Sequence, residues 1–86
     1  MKIKTIALLG STGSIGQTTL EIIRKTKKFK VILIIANSNY LKIISQIKNF
    51  KPKVVIVNDL KTYLRVKKNI QDKDIVVTNN IININK

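Results

Sequence analysis

The sequence predicts an α/β fold, a partial Rossmann-like parallel sheet with helices on both faces. Short apolar runs rich in Ile and Val alternate with amphipathic segments along the chain, and this alternation is typical of βαβ units. All three glycines fall within residues 10–16, between the first apolar run and the first amphipathic segment. At 86 residues the chain has about the size of one mononucleotide-binding half of a Rossmann fold.

The predicted elements follow one another with short connections. Four apolar, largely β-branched runs are predicted strands, at residues 3–9, 31–36, 54–57 and 75–77. Three segments with apolar residues at helical spacing are predicted helices, from 15 to about 26, from 40 to the break before Pro52, and from 60 to about 69. Residues 78–86 are predicted to be a frayed tail or the first turns of another helix. With right-handed crossovers, the expected strand order is 3-2-1 with the fourth strand beyond the first.

The glycine stretch lies where a strand passes into a helix, and this placement fits phosphate binding. In this hypothesis Gly10 permits a tight turn, Gly13 lets the backbone approach a pyrophosphate, and Gly16 lets the helix pack close to its strand. The positive end of the helix dipole then faces the anion. Ser14-x-x-Gln17 also matches a capping box. The bare pattern leaves one alternative open, an ordinary strand-to-helix turn without a ligand.

Composition narrows the class of protein. The net charge of +13 favours a polyanionic ligand, but the lysines are spread along the chain and only two of the cations are Arg, so a nucleic-acid partner is not predicted. The absence of Cys and His excludes a disulfide framework, a thiolate metal site and a histidine base. No apolar run approaches the roughly 20 residues that span a bilayer. We therefore expect a cytoplasmic protein without a membrane partner.

Several stretches resemble the N-terminal part of the 1-deoxy-D-xylulose 5-phosphate reductoisomerases. They are Gly-Ser-Thr-Gly-Ser-Ile-Gly-Gln at 10–17, the Thr-Thr-Leu-Glu-Ile-Ile-Arg that follows it, Phe29-Lys-Val, Ala36-x-x-Asn39, and Lys51-Pro52 leading into Val-Val-Ile-Val at 54–57 and Asp59. The resemblance covers essentially the whole chain. It implies a homodimeric enzyme that uses NADPH and Mg or Mn to convert 1-deoxy-D-xylulose 5-phosphate to 2-C-methyl-D-erythritol 4-phosphate in the non-mevalonate isoprenoid pathway.

The resemblance also implies which residues contact the cofactor. By position, the nucleotide-phosphate loop corresponds to Thr12, Gly13, Ser14 and Ile15, and the turn beside the adenosine ribose corresponds to Asn37, Ser38 and Asn39. No Asp or Glu lies between Glu21 and Asp59, which leaves room for a ribose 2′-phosphate and favours NADP over NAD.

The ribose turn departs from the family pattern, which commonly has Gly followed by Lys or Arg where this chain has Asn37-Ser38. Ser38 stands where the family commonly has Lys or Arg, so it can donate a hydrogen bond to a 2′-phosphate but lacks the charge. The alternative interpretation is that residues 37–39 only cap the following helix. Asp59 is likewise suited to cap the third helix.

The resemblance predicts that residues 1–86 form a truncated NADP-binding Rossmann-like domain, without the catalytic and C-terminal domains. No catalytic or metal-ligating residue is predicted here, so whether the chain alone is an enzyme stays open. Asp72-x-Asp74 is predicted to be a solvated turn, and Tyr40 and Tyr63 to be core or boundary residues. The expected partners are NADPH and the rest of the enzyme. Two alternatives are a non-catalytic remnant with weak or no cofactor binding, and another NADP-binding family such as the aspartate-semialdehyde dehydrogenases, whose loop more often reads Gly-Ala-Thr-Gly.

Overall fold

The computed structural model of the chain describes residues 4–10 and 12–79. The elements are β1 (Lys4–Leu9), α1 (Ser14–Thr26), β2 (Phe29–Ala36), α2 (Tyr40–Phe50), β3 (Val54–Val57), α3 (Leu60–Asn69) and β4 (Val76–Thr78). The predicted alternation of strands and helices is confirmed, with boundaries displaced by at most two residues. The predictions made for residues 80–86 lie outside the described residues.

The four strands form one parallel sheet in the order β1-β2-β3-β4. The α/β class and the parallel sheet are confirmed, but the expected position of the fourth strand is wrong. β4 pairs with β3 rather than lying beyond β1, because consecutive strands joined by one short crossover usually pack side by side. The register between β1 and β2 shifts between Ile6 and Ala7, so that Ile32 is an extra residue on β2.

One hydrophobic core lies between the sheet and the helices. The buried core residues are Leu20, Ile23, Val31, Ile34, Ala36, Ile43, Ile47, Val55, Val57 and Val66. They come from all three helices and from the same side of β2 and β3. Every crossover steps in the same direction along the sheet, and right-handed crossovers of that kind place their helices on one face. The helices of the described residues therefore cover one face of the sheet, where both faces had been expected.

The second and third helices begin at side-chain caps, as the sequence predicted. The Asn39 side chain accepts a hydrogen bond from the Lys42 N–H at 3.3 Å. Asp59 accepts bonds from both the N–H and the hydroxyl of Thr62, at 3.0 and 2.7 Å. α1 and α2 end at lysines in the left-handed conformation, Lys27 and Lys51. None of the helices among the described residues is long and apolar enough to cross a membrane.

Candidate functional site

The two segments predicted to bind the cofactor start side by side at the carboxyl edge of the sheet. Leu9 at the end of β1 is in register with Ile35 near the end of β2. The Gly10 N–H donates to the Ile35 carbonyl at 2.8 Å, which ties the glycine loop to the neighbouring strand. Paired strands lie about 4.8 Å apart, so the loop after β1 and the turn after β2 flank a common space.

Hydrogen bonds within the glycine loop hold its shape. Gly10 has φ +66°, a left-handed conformation that favours glycine. The Gly13 N–H donates to the Gly10 carbonyl at 3.0 Å, and the Gln17 N–H donates to the Gly13 carbonyl at 2.9 Å. The Gln17 side chain also donates to the Thr12 carbonyl at 2.9 Å. The loop is thus braced from within and from the first turn of α1.

The start of α1 differs from the capping box that the sequence predicted. The N-cap residue is Gly13, with φ −74° and ψ 171°, and Ser14 is already helical. The box needs Ser14 in the extended N-cap conformation, and Gly13 takes that position instead. Gln17 correspondingly bonds the loop carbonyl of Thr12.

This start leaves α1 suited to an anion. Gly13 has no side chain with which to cap the helix, and the first turn of α1 contains no acidic residue. The N–H groups of Ser14, Ile15 and Gly16 precede the first intrahelical hydrogen bond, which Gln17 donates, and they share the positive end of the helix dipole. The other two helices, by contrast, begin at the capping side chains of an Asn and an Asp. α1 is therefore the helix of the described residues that begins at a glycine.

The loop residues are accessible. Thr12 is half-buried, Gly13 and Ser14 are exposed, and Ile15 is 84% exposed. Gly16 is buried, which agrees with its predicted role of letting α1 pack close to the sheet. The chain thus brings the four predicted loop residues to the surface beside the end of β1.

The turn after β2 is held by its neighbour after β3. The Asn37 carbonyl accepts from the Asp59 N–H at 3.2 Å, and the Ser38 carbonyl accepts from the Thr62 hydroxyl at 3.4 Å. Asn37, Ser38 and Asn39 are exposed, and Asn39 caps α2. Sequence reasoning missed the part played by Thr62, since 24 residues separate it from Ser38.

Asp59, at this edge, and Glu21, in the middle of α1, are engaged in hydrogen bonds. The pKa of Asp59 lies below its ordinary value because the hydroxyl and then the backbone N–H of Thr62 donate to its carboxylate. The pKa of Glu21 is also lowered, by its hydrogen bond and ion pair with Arg24. The 37–39 turn itself contains no acid. The loop and the 37–39 turn therefore present amides, hydroxyls and backbone N–H groups, which suit a phosphate, while the carboxylate of Asp59 beside them is held by Thr62.

Residues singled out elsewhere have structural roles. The Asp74 N–H donates to the Asp72 carboxylate at 2.9 Å, and both residues are exposed, which confirms the predicted turn. Tyr40 and Tyr63 are half-buried against the core, as predicted, and the Arg65 guanidinium lies 3.9 Å from the centre of the Tyr40 ring. Within residues 4–10 and 12–79, no group of three or more acids, Cys or His could hold a metal ion.

Comparisons with known proteins agree with this geometry. The family model of 1-deoxy-D-xylulose 5-phosphate reductoisomerase matches residues 6–83. The reductoisomerase of Pelagibacter ubique is 44% identical over 84 residues, covering 96% of this chain and 22% of that enzyme. The reductoisomerase of Lachnoclostridium phytofermentans is 45% identical over 74 residues, covering 86% of this chain and 19% of that enzyme.

A solved structure shows the same fold. The reductoisomerase from Zymomonas mobilis in complex with NADPH superposes with a TM-score of 0.81 at 27% identity, over 90% of this chain and 21% of that one. The chain thus spans about a fifth of the length of the relatives that it matches. It corresponds to their N-terminal NADPH-binding region. With the family model covering residues 6–83, the chain belongs to the 1-deoxy-D-xylulose 5-phosphate reductoisomerase family.

Proposed function

We propose that this chain binds NADPH and supplies the cofactor-binding part of a 1-deoxy-D-xylulose 5-phosphate reductoisomerase. One observation carries the proposal: the glycine-capped start of α1 lies beside the turn after β2, at the carboxyl edge of a parallel sheet. This is the position at which open α/β sheets bind nucleotides. A relative with the same fold was solved in complex with NADPH.

Five of the seven predicted residues have a direct part in this proposal. The backbone N–H groups of Ser14 and Ile15 hold the pyrophosphate, which the absence of a side chain at Gly13 lets approach, and the bond from the Gln17 side chain to the loop keeps the loop in the shape that receives it. The hydroxyl of Ser38 and the side-chain amide of Asn37 bind the ribose 2′-phosphate. When bound, NADPH supplies the hydride for the reduction. The function of these residues is to bind and orient.

The remaining chemistry belongs to the rest of the enzyme in this proposal. The described residues contain no cluster of acids that fits a divalent metal, so no metal-dependent step is assigned to them. Binding of the sugar phosphate is likewise not assigned to the described residues. The chain is thus a domain of the enzyme, of which it has about a fifth of the length.

Calorimetric titration of the purified chain with NADPH and with NADH tests the proposal. We expect NADPH to bind and Gly13→Asp to weaken it by at least about tenfold, since a carboxylate at the N-cap repels the pyrophosphate and occupies its N–H donors. Gln71→Glu is the matched control, because it adds the same charge in the exposed turn after α3, at the opposite edge of the sheet. Absence of NADPH binding by a chain with a dispersed NMR spectrum would contradict the proposal, as would equal effects of the two variants.

A further inference from the structure

We propose that Lys42 binds the 2′-phosphate of NADPH and is the residue by which this chain distinguishes NADPH from NADH. The inference rests on the proposed function and adds a cation to it. The 37–39 turn offers two side-chain amides and one hydroxyl, which bond a phosphate without compensating its charge. Since a phosphate monoester carries about two negative charges at neutral pH, a cation within reach adds the stronger, charge-assisted contact.

Lys42 lies in the first turn of α2, directly after the turn that is proposed to hold the ribose. Its backbone N–H donates to the Asn39 side chain at 3.3 Å, so the turn and the helix start are joined at this residue. α2 begins at the carboxyl edge of the sheet, because it follows the end of β2. The flexible stem of Lys42 therefore starts at the edge where the nucleotide is proposed to bind.

The side chain of Lys42 lies on the side of α2 that faces α1. It lines a groove between the two helices, together with Gln17 of α1. Both residues belong to the first turns of their helices, so they lie at the end of the groove that is nearest the carboxyl edge. The Gln17 side chain donates to the Thr12 carbonyl of the glycine loop at 2.9 Å. From this position the Lys42 ammonium can reach the space between the glycine loop and the 37–39 turn.

The acid that lines the same groove already has a partner. Glu21 lies one turn after Gln17 on α1 and forms an ion pair with Arg24 of its own helix. Lys42 is exposed, and no ion pair within residues 4–10 and 12–79 engages its ammonium. A phosphate that enters at the carboxyl edge therefore does not have to displace a carboxylate from Lys42.

Two other cations near this edge have different neighbours. The Arg65 guanidinium lies 3.9 Å from the centre of the Tyr40 ring. Residues 40 and 42 are about 200° apart around the helix, so Arg65 lies on the opposite side of α2 from Lys42. Lys61 belongs to the first turn of α3, where its charge acts on the Asp59 carboxylate. Because α3 follows β3, it lies one strand further from the glycine loop. Among the first turns of α1, α2 and α3, the cation between the two proposed cofactor segments is Lys42.

Calorimetric titration of the 86-residue chain with NADPH and with NADH tests the inference on a matched pair, Lys42→Met and Lys61→Met. Both lysines are exposed, both lie in the first turn of a helix with a side-chain cap, and each variant removes one positive charge. Lys42→Met should lower the affinity for NADPH about tenfold and leave that for NADH unchanged. Lys61→Met should change neither affinity by more than about twofold. Met and Lys have similar helix propensities, so both variants should keep the wild-type melting temperature.

A conservative variant and the salt dependence identify the contact as ionic. Lys42→Arg should keep the affinity for NADPH within about threefold of the wild type, because a guanidinium also pairs with a phosphate. Between about 50 and 200 mM salt, NADPH affinity should fall less in Lys42→Met than in the wild type or in Lys61→Met.

The outcomes separate this inference from the proposed function. Equal losses in Lys42→Met and Lys61→Met would overturn the inference, since only the overall charge would then matter. Equal losses of NADPH and NADH affinity in Lys42→Met would overturn it as well, because the contact would not be to the 2′-phosphate. Unchanged NADPH affinity in Lys42→Met would refute the inference and leave the proposed function standing. A folded wild-type chain that binds neither nucleotide would refute both.

Discussion

The substitution Gly13→Ser should separate stability from cofactor binding within one loop. Gly13 has φ −74° and ψ 171°, a conformation that any L-residue adopts. A Cβ at this position would lie 3.4 Å from the Gly10 carbonyl oxygen, an ordinary contact. Ser is a preferred N-cap residue, and its hydroxyl would accept a bond from the first turn of α1. The folded chain should therefore gain a few tenths of a kcal/mol.

NADPH binding should respond in the opposite sense. The hydroxyl introduced by Gly13→Ser would cap the same N–H groups that the proposed pyrophosphate site uses, so we expect affinity to fall about tenfold, which is about 1.4 kcal/mol. Gly10→Ala provides the contrast. A Cβ on Gly10 meets no atom within 4 Å in the described part of the chain, but φ +66° strains a residue with a side chain by about 1–2 kcal/mol.

Thermal denaturation followed by circular dichroism, with calorimetry for NADPH, measures both effects. Gly10→Ala should lower the melting temperature by about 4–8 °C, the shift expected for about 1 kcal/mol in a domain of this size. Gly13→Ser should keep or slightly raise it. If Gly13→Ser binds NADPH as the wild type does, the loop N–H groups do not hold the pyrophosphate. If Gly13→Ser destabilises the chain as much as Gly10→Ala does, the N-cap geometry is wrong.

Three further predictions follow from other contacts. Ile34→Val should lower the unfolding free energy by about 1 kcal/mol in urea titrations because Ile34 is fully buried, whereas Ile22→Val, 56% exposed, should have no clear effect. Asp59 has a lowered pKa, so its contribution to stability is present above about pH 4 and is lost as the pH falls through the folded pKa. Urea titrations repeated between about pH 6 and pH 3 should therefore show a smaller loss of unfolding free energy for Asp59→Asn than for the wild type. Ser38→Arg should tighten NADPH about tenfold and leave NADH unchanged in calorimetry, since a guanidinium pairs with the 2′-phosphate.

Local sequence signals predicted the elements well, and long-range pairing was missed. The run Val-Ile-Val at 55–57 is apolar enough to be a strand in any sheet, and the Tyr40, Ile43 and Ile47 spacing identifies the inward stripe of α2. Nothing in the composition of β4 distinguishes pairing with β3 from pairing with β1, because both partners are apolar. The error in strand order also produced the error about the faces, since the direction of each crossover decides where its helix lies.

The parts of the candidate site that depend on one short segment were predictable from the sequence. Contacts between segments far apart in the chain were not. Glycine spacing identified the loop, and the left-handed Gly10 agrees with it. The capping box at Ser14 was wrong because a preceding glycine can itself take the N-cap conformation, and the pattern does not register that competition. The bond from Thr62 to the Ser38 carbonyl depends on two turns being adjacent in space, so it follows from the sheet order and cannot be found from either segment alone.

The positions of the lysines yield one last prediction, on salt. The basic residues of the last helical turns are Arg24, Lys25, Lys48, Lys67 and Lys68, and no first turn of α1, α2 or α3 contains an acid. Cations there complement the negative ends of the dipoles and lie away from the carboxyl edge of the sheet. Two other lysines, Lys42 and Lys61, lie in the first turns of α2 and α3, at the carboxyl edge. With so few cations nearby, the proposed site attracts phosphate mainly with backbone N–H groups. NADPH affinity should fall less than about tenfold between about 50 and 200 mM salt. This loss is far smaller than the loss of affinity in proteins that bind phosphates through many lysines. A steep loss would place further lysines in the site, and Ser38→Arg, which adds a charged contact, should make the salt dependence steeper than that of the wild type.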